Sequence, residues 1–204
     1  MCMRKSLIVL VVFALCLAST STFASSVDSD PKTMIVDRHD QFHALLMDKK
    51  AEAPKVREGI RSVLKTFVDF EAVSRQAFKK YFDKLKPAER KRFTNAFKGL
   101  VEATYLKRLE PGHSYEMLFD GEPEMRKGKA RVRTIIKKGD SEVEVAYLLD
   151  RAETQSWKAY DIVIDDVSMA RNYRREFYRL MKEKGFSGLI ERIEERTRAK
   201  EKEL

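Results

Sequence analysis

The spacing of apolar residues predicts that the chain has helices at both ends and a sheet between them. Over residues 31–110, apolar side chains recur every three or four positions, which is the spacing of one helix face. One such stripe covers residues 56–68 and opens near Pro54, and a second covers residues 93–105 and follows Pro87. Proline is favoured in the first turn of a helix, so both prolines mark predicted helix starts.

Two further patterns complete this first helical part. Residues 72–82 predict a shorter helix between the two stripes, and residues 34–47 predict an earlier one. Pro111 and Gly112 end the helical part, because both residue types interrupt a helix. The helical part is therefore expected to span residues 31–110.

Beyond Gly112 the apolar residues alternate with polar ones, which predicts strands. Strands are expected over residues 115–119, 129–137, 142–149 and 157–164. Within the third strand, one face carries the apolar side chains of Val143, Val145, Tyr147 and Leu149. The pair Gly139-Asp140 supplies a hairpin turn before it.

Four strands joined by short turns predict an antiparallel sheet over residues 113–165, with one face on the core and one in water. Helices return over residues 168–204, are interrupted at Gly185 and end in a charged tail. The order of helices, sheet and helices predicts an α+β fold in which helices cover the apolar face of the sheet.

Residues 1–24 have the three parts of a secretory signal peptide. Arg4 and Lys5 precede an apolar run of 12 residues, and Thr22 and Ala24 are the small residues expected before a cleavage site. The run is too short to span a membrane, which needs about 20 residues. We therefore expect an exported protein that begins at residue 25.

Removal of this signal changes what the composition means. The chain of 204 residues has a net charge of +9, and loss of Arg4 and Lys5 leaves +7. Both cysteines, Cys2 and Cys16, leave as well, which excludes disulfides, thiol catalysis and cysteine-bound metal in the mature protein. These features fit a periplasmic domain that its core stabilises without disulfides.

The basic excess does not indicate a nucleic-acid partner. Acidic residues interrupt the basic stretches, with Glu89 within residues 86–92 and Glu176 and Glu183 within residues 171–184. The chain therefore has no pure basic stripe, and export separates it from cytosolic nucleic acid. On an exported protein, a basic surface suits contact with anionic lipid.

The histidines do not predict a metal site. His39 and His43 are four residues apart and would share one helix face, but residue 40 is aspartate where the zincin motif has glutamate. A third ligand with suitable spacing is missing. We therefore expect surface histidines and no metal.

Asp161, Asp165 and Asp166 form a carboxylate cluster after the last predicted strand. Paired carboxylates catalyse proton transfer where burial and mutual repulsion separate their pKa values. Alternatively, Asp165 and Asp166 occupy a turn and an acidic residue lies near the start of the helix at Ser168. We favour the turn, and no glycine-rich phosphate loop or nucleophile elbow is present, so no enzyme is predicted.

An ordered set of motifs gives the sequence its most specific feature. The motifs are Phe78-x-x-Tyr81-Phe82, Leu85-x-Pro87-Ala88-Glu89-Arg90-x-x-Phe93, Val143-x-Val145-x-Tyr147, Trp157-Lys158-Ala159-Tyr160-Asp161, Asp166-Val167-Ser168, Asn172-Tyr173-Arg174 and Gly185-Phe186. Together they resemble the MlaC, or toluene-tolerance, family of periplasmic phospholipid-binding proteins over residues 30–196. One departure is Asp166, where the family often has glycine, because aspartate adopts a positive φ less readily.

The resemblance implies a curved antiparallel sheet of the nuclear-transport-factor-two type, covered by helices and joined to a helical subdomain. It implies a single lipid-binding module over residues 25–204. It also implies a shuttle that carries phospholipid between an outer-membrane lipoprotein complex and an inner-membrane ABC transporter, without a cofactor. The acyl chains would lie in a deep apolar cavity.

The candidate lipid-binding residues are the apolar side chains expected to face inward. From the sheet they are Val132, Val143, Val145, Tyr147, Trp157 and Val163. From the helices they are Val63, Phe67, Phe78, Phe82, Phe93, Phe97, Leu100, Tyr105, Val167, Met169, Tyr173 and Phe177. The sequence shows no cluster of polar residues for a head group, so we expect the head group in water and little selectivity for it.

Arg171, Arg174 and Arg175 are the candidate residues for docking to a partner complex or a membrane. Two other functions stay open. One is an isomerase or dehydratase on a cone-shaped α+β fold that uses Asp161, Asp165 or Tyr160. The other is a structural adaptor without a ligand, which predicts a filled core.

Overall fold

The computed structural model describes residues 30–48, 50–106, 115–151 and 156–202, apart from the side chain of Tyr105. Within these ranges the chain forms six helices and six strands. The helices are α1 (Pro31–Met47), α2 (Ala53–Phe67), α3 (Phe70–Ala77), α4 (Lys79–Phe82), α5 (Pro87–Leu106) and α6 (Met169–Glu201). The strands are β1 (Glu116–Phe119), β2 (Glu124–Arg126), β3 (Lys129–Lys138), β4 (Ser141–Asp150), β5 (Lys158–Ile164) and β6 (Val167–Ser168). The predicted signal peptide, Pro111 and Gly112 lie outside the described residues.

Helix α1 begins where the sequence supplies a capping residue. The Asp30 carboxylate accepts hydrogen bonds from the amides of Lys32 at 3.2 Å and Thr33 at 3.0 Å, and from the Thr33 hydroxyl at 2.8 Å. Pro31 follows in the first turn, where its missing amide proton leaves no bond unmade. Partial burial opposes ionisation, but these hydrogen bonds lower the pKa of Asp30 below its ordinary value.

The predicted helix over residues 72–82 is two helices in the structure. Helices α3 and α4 are separated at Phe78, whose backbone has φ −116° and ψ 24°. The Phe78 ring is buried there and stacks on Phe93, with ring centroids 4.7 Å apart. The other predicted helices are confirmed.

The sheet is antiparallel throughout, with the order β1-β3-β4-β5-β6 and with β2 paired to β3. The α+β fold is therefore confirmed, as is the Gly139-Asp140 turn between Lys138 and Ser141. Strands β2 and β6 were not predicted, because segments of three and two residues are too short to show an alternating pattern.

Two aspartates form the turn between β5 and β6. Asp165 and Asp166 have φ values of 45° and 62°, as in the two-residue turns that suit a right-handed sheet twist. The turn interpretation of this pair is confirmed. Asp166 therefore adopts a positive φ, which glycine adopts more readily than aspartate.

Helix α6 covers the sheet after this turn and is kinked at Gly185. The φ of 66° at Gly185 is left-handed and interrupts the helix there, as predicted. The first part carries Tyr173 and Phe177 into the core, and the second carries Leu189 and Ile190. No helix in the described part of the chain is long and apolar enough to cross a membrane.

We predict that Asp30→Ala lowers the free energy of unfolding at pH 7 by about 0.5–2 kcal/mol, because the first amides of α1 lose their acceptor. Because folding lowers the pKa of Asp30, its carboxylate stabilises the fold at pH values above 3.8, the ordinary pKa of the group. This stabilisation is lost as the pH falls below 3.8 and through the lower pKa of the folded state. Denaturant unfolding from pH 7 to pH 2.5 measures this. Asp30→Asn is the control, since asparagine also caps helices. If the loss of unfolding free energy caused by Asp30→Ala stayed constant with pH, the stabilising role of the Asp30 carboxylate would be contradicted.

Candidate functional site

A cavity of about 400 Å³ lies between the sheet and the helices and opens to solvent. Its wall is mostly apolar. The helices and the segments that follow them contribute Ile35, Phe42, Leu46, Leu64, Phe67, Val68, Phe70, Val101, Leu106 and Met169. The sheet contributes Met117, Ile136, Val145, Tyr147, Ile162 and Ile164. The volume lies within the roughly 300–1,000 Å³ of pockets that hold small organic ligands.

Strand alternation decides which sheet residues reach this wall. In β4, Val145 and Tyr147 face the cavity and Ala146 faces the other side. The pairing of β5 with β4 is irregular: Leu148 of β4 pairs with Asp161, but the next residue, Leu149, pairs with Ala159. The one extra residue in β5 marks a bulge. Because of this shift, Ile162 and Ile164 face the cavity in β5.

The same shift explains where Val163 lies. Strict alternation from Trp157 predicts Val163 on the cavity side, but the bulge turns it to the opposite face, where it lines a small cleft with Arg131 and Glu144. Sequence alternation cannot reveal the bulge, because it depends on pairing with β4.

Two tyrosines on the wall are neutral. Burial is the main reason that the pKa of Tyr147 rises to about 12, with the neighbouring Tyr115 adding to it. Burial and the Asp40 carboxylate raise the pKa of Tyr115 as well. Both phenols stay protonated near neutral pH, so the wall gains no negative charge from them.

Polar side chains collect at one part of the wall. Arg38 and His39 come from α1, Lys138 comes from the end of β3, and Tyr115 comes just before β1. The His39 and Tyr115 rings meet edge to face, with centroids 5.3 Å apart. The sequence shows no such cluster, because the residues are brought together by the pairing of β1 with β3 and by the docking of α1.

Of the candidate lipid-binding residues whose side chains the structure describes, four line the cavity: Phe67, Val145, Tyr147 and Met169. Most of the others form a closed core next to it. Those buried residues are Val63, Phe78, Phe82, Phe93, Phe97, Leu100, Val132, Trp157, Tyr173 and Phe177. The aromatic rings among them pack closely, with the Phe97 and Phe177 centroids 5.1 Å apart.

Three other candidates lie elsewhere or outside the described side chains. Val143 pairs with Ile136 at the end of the hairpin and is half-buried. Val167 is 56% exposed in β6. The side chain of Tyr105 is outside the described part of the structure. Contact of any candidate with lipid stays a prediction.

Several wall residues were missed by the sequence analysis. Ile35 and Phe42 lie on α1, and Leu64 lies on the α2 stripe that also carries Phe67. Their helical spacing identifies them as inward-facing, but it does not distinguish a cavity wall from a closed core. The signal for Ile136 was alternation with Val132 in β3, whereas Ile164 reaches the wall only through the bulge and had no signal in the sequence.

The predicted carboxylate cluster has a structural role in this fold. Buried Asp161 accepts hydrogen bonds from the Ser168 hydroxyl and from the Ala170 amide at 3.1 Å, so it holds the start of α6. Asp165 accepts the Glu144 amide at 3.1 Å. Neither carboxylate is on the cavity wall. The geometry therefore offers no support for acid–base catalysis by this pair.

The candidate docking arginines have different environments. Arg171 and Arg175 are exposed on α6. Arg174 is partly buried, and its guanidinium donates two hydrogen bonds to the Gln76 carbonyl at 3.2 and 2.5 Å. Arg174 therefore ties α6 to the end of α3.

His39 and His43 stack on one face of α1, with ring centroids 5.8 Å apart. The surface position expected for His39 is wrong, because its side chain is only 19% exposed. Packing against Tyr115 is the reason. Among the described residues no group of three or more metal-ligating side chains is present.

The fold and the site define an α+β protein whose open antiparallel sheet and helices enclose an apolar cavity. A family model described as MlaC protein matches residues 37–195. The chain therefore belongs to the MlaC family.

A solved structure supports the same fold. It is that of a phospholipid-binding protein from Ralstonia solanacearum in complex with a phospholipid. That protein is 18% identical to this one, the match covers 85% of this chain and 99% of the other, and the TM-score is 0.76. The search of curated proteins found no match.

We predict that Asp161→Asn lowers the free energy of unfolding by about 1–3 kcal/mol, because the Ser168 hydroxyl and the Ala170 amide lose a charged acceptor. Asp165→Asn is the matched control. It should change the free energy of unfolding by less than about 0.5 kcal/mol, since the Asp165 carboxylate is exposed and asparagine tolerates a positive φ. Denaturant unfolding of both variants measures the difference. Equal stabilities would contradict the role assigned to Asp161.

Proposed function

We propose that this protein is a periplasmic phospholipid carrier whose cavity holds the acyl chains. The apolar cavity between the sheet and the helices is the observation that carries the proposal. Membership of the MlaC family and the fold shared with a phospholipid-bound protein support it. The same observations favour a binding protein over an enzyme.

Energetics favour a carrier that exchanges lipid with membranes without its own energy source. Each methylene removed from water contributes about 0.8 kcal/mol, so two chains with roughly thirty methylenes gain on the order of 24 kcal/mol relative to water. Relative to a bilayer the gain is close to zero, because the bilayer interior is equally apolar. The carrier therefore needs partner complexes that open its cavity at each end of the route, rather than ATP hydrolysis of its own.

We assign the carrier to a route between an outer-membrane lipoprotein complex and an inner-membrane ABC transporter. In this assignment residues 1–24 direct export, and residues 25–204 work as one lipid-binding module. Arg171 and Arg175 are the proposed docking residues, since both are exposed on the same helix. Arg174 is the third docking candidate, and its guanidinium also donates to the Gln76 carbonyl. We therefore propose that Arg174 stabilises the fold as well as contributing to the docking surface.

Filling the cavity tests the proposal directly. Ile136 lies on the cavity wall, and Ile135 is its neighbour on the opposite face of β3. We predict that Ile136→Trp reduces the phospholipid that copurifies per mole of folded protein at least about fivefold, because the indole occupies space that the acyl chains need. Ile135→Trp should retain the wild-type amount. Lipid extraction and mass spectrometry of protein purified without detergent measure both.

The outcomes separate the alternatives. Absence of phospholipid from the wild-type protein would exclude the carrier and favour an adaptor without a ligand. Equal lipid in both tryptophan variants would show that lipid binds outside this cavity.

Phe93 tests whether the aromatic candidates act as core or as cavity wall. Its ring is fully buried and meets Phe177 with centroids 5.4 Å apart. We predict that Phe93→Leu lowers the free energy of unfolding by roughly 1–3 kcal/mol and leaves lipid per folded protein unchanged. Thermal unfolding and lipid extraction measure the two effects. Selective loss of lipid at unchanged stability would place Phe93 in the lipid site.

A further inference from the structure

One end of the cavity carries three nitrogen-bearing side chains from distant parts of the sequence. Arg38 and His39 come from α1 and Lys138 comes from the last position of β3. We call these three residues the cationic end. The pairing of Glu116 with Lys137 places Tyr115 beside Lys138, and the Tyr115 ring contacts His39. Tyr115 therefore links His39 to Lys138 on the cavity wall, Arg38 precedes His39 in α1, and the exposed Lys138 lies where the wall reaches solvent.

The wall around the cationic end has no balancing negative charge. No aspartate or glutamate is among the described residues that line the cavity. Asp40 contacts His39 Nδ1 at 3.3 Å and helps to raise the pKa of Tyr115, but its side chain is 71% exposed, so solvent screens its charge. A cationic site without acids in the wall attracts an anion more strongly than a mixed one.

Two nitrogen atoms of the cationic end are buried and have no hydrogen-bond partner. They are Arg38 Nε and His39 Nε2. Buried polar atoms in folded proteins are nearly always paired, so each unpaired atom calls for an explanation. Arginine donates at every pH that proteins encounter, and histidine donates from both nitrogens when protonated. An anionic oxygen delivered by the ligand would satisfy the Arg38 Nε donor, and it would satisfy His39 Nε2 in the tautomer or charge state in which that nitrogen carries a proton.

We propose that the cationic end binds the phosphate diester of the carried lipid and makes the protein prefer phospholipids with a net negative head group. The inference rests on the proposed carrier function and replaces the expectation of little head-group selectivity. Arginine matches the geometry of phosphate oxygens, and lysine adds a point charge. A zwitterionic head group brings its own ammonium close to these cations, which opposes its binding.

Competition between two lipids tests the preference. Delipidated protein is offered vesicles with equal amounts of phosphatidylglycerol and phosphatidylcholine that have the same acyl chains, and the extracted lipid is counted by mass spectrometry. We expect the wild-type protein to retain phosphatidylglycerol about tenfold over phosphatidylcholine, because both lipids offer the same phosphate and only the choline ammonium is repelled by the cationic end. Arg38→Gln/Lys138→Gln should return the ratio to that of the vesicles.

A matched control removes the same charge elsewhere. Lys65 is exposed on α2, and Lys137 faces away from the cavity and pairs with Glu142 at 2.6 Å. Lys65→Gln/Lys137→Gln should keep the wild-type preference, because attraction of the whole protein to anionic vesicles is the same in both double variants. If both double variants lost the preference for phosphatidylglycerol equally, the proposal would be overturned. The preference would then come from attraction of the whole protein to anionic vesicles.

Two more ligands distinguish the source of the phosphate. Diacylglycerol has the acyl chains without a phosphate, so Arg38→Gln/Lys138→Gln should bind it as the wild-type protein does. Thermal stabilisation by inorganic phosphate as large as that by phosphatidylglycerol would assign the cationic end to free phosphate and overturn the head-group role.

The result also separates this inference from the carrier function. Wild-type protein that retains lipid in the vesicle proportions would overturn the head-group preference alone. Wild-type protein that retains no lipid of any kind would overturn the carrier function itself.

Discussion

Aromatic packing at one end of the sheet is the constraint on which the rest of the structure depends. Phe78, Phe93 and Phe177 bring α3, α5 and α6 together in one closed cluster. This cluster reaches the sheet where Ala130 and Leu149 pair, and small or buried side chains fill that end. The aromatic cluster therefore packs against the half of the sheet that contains Ala130 and Leu149. The apolar side chains of the other half have no closed aromatic cluster packed on them.

A second, separate cluster builds the far wall of the cavity. Leu46 of α1, Ile60 of α2 and Leu106 of α5 pack together away from the main core. Gly59 allows the close approach of α1 and α2, because a Cβ atom there would lie 2.5 Å from the Leu45 side chain. Leu64 packs against both clusters and lines the cavity, so the cavity lies where two packed cores meet in a protein in which voids are otherwise costly.

The chemistry of the cavity is divided in the same way as its architecture. Strand and helix residues near the main core make the wall apolar, and the neutral phenol of Tyr147 adds no charge to it. Charge appears where α1 meets the turn end of the β3–β4 hairpin, at Arg38 and Lys138. A diacyl lipid with its head group at the mouth has this same division between apolar chains and a charged group.

The sequence by itself determined the order of helices and strands, the hairpin at Gly139 and the break at Gly185, because each depends on local spacing or on backbone freedom. It also identified Phe67 and Tyr147 as inward-facing. Tertiary structure alone decided which inward-facing residues meet a cavity, since Phe93 and Tyr147 have equally apolar patterns but different neighbours. The bulge in β5 and the meeting of α1 with β3 are likewise results of long-range pairing, which no local pattern in the sequence records.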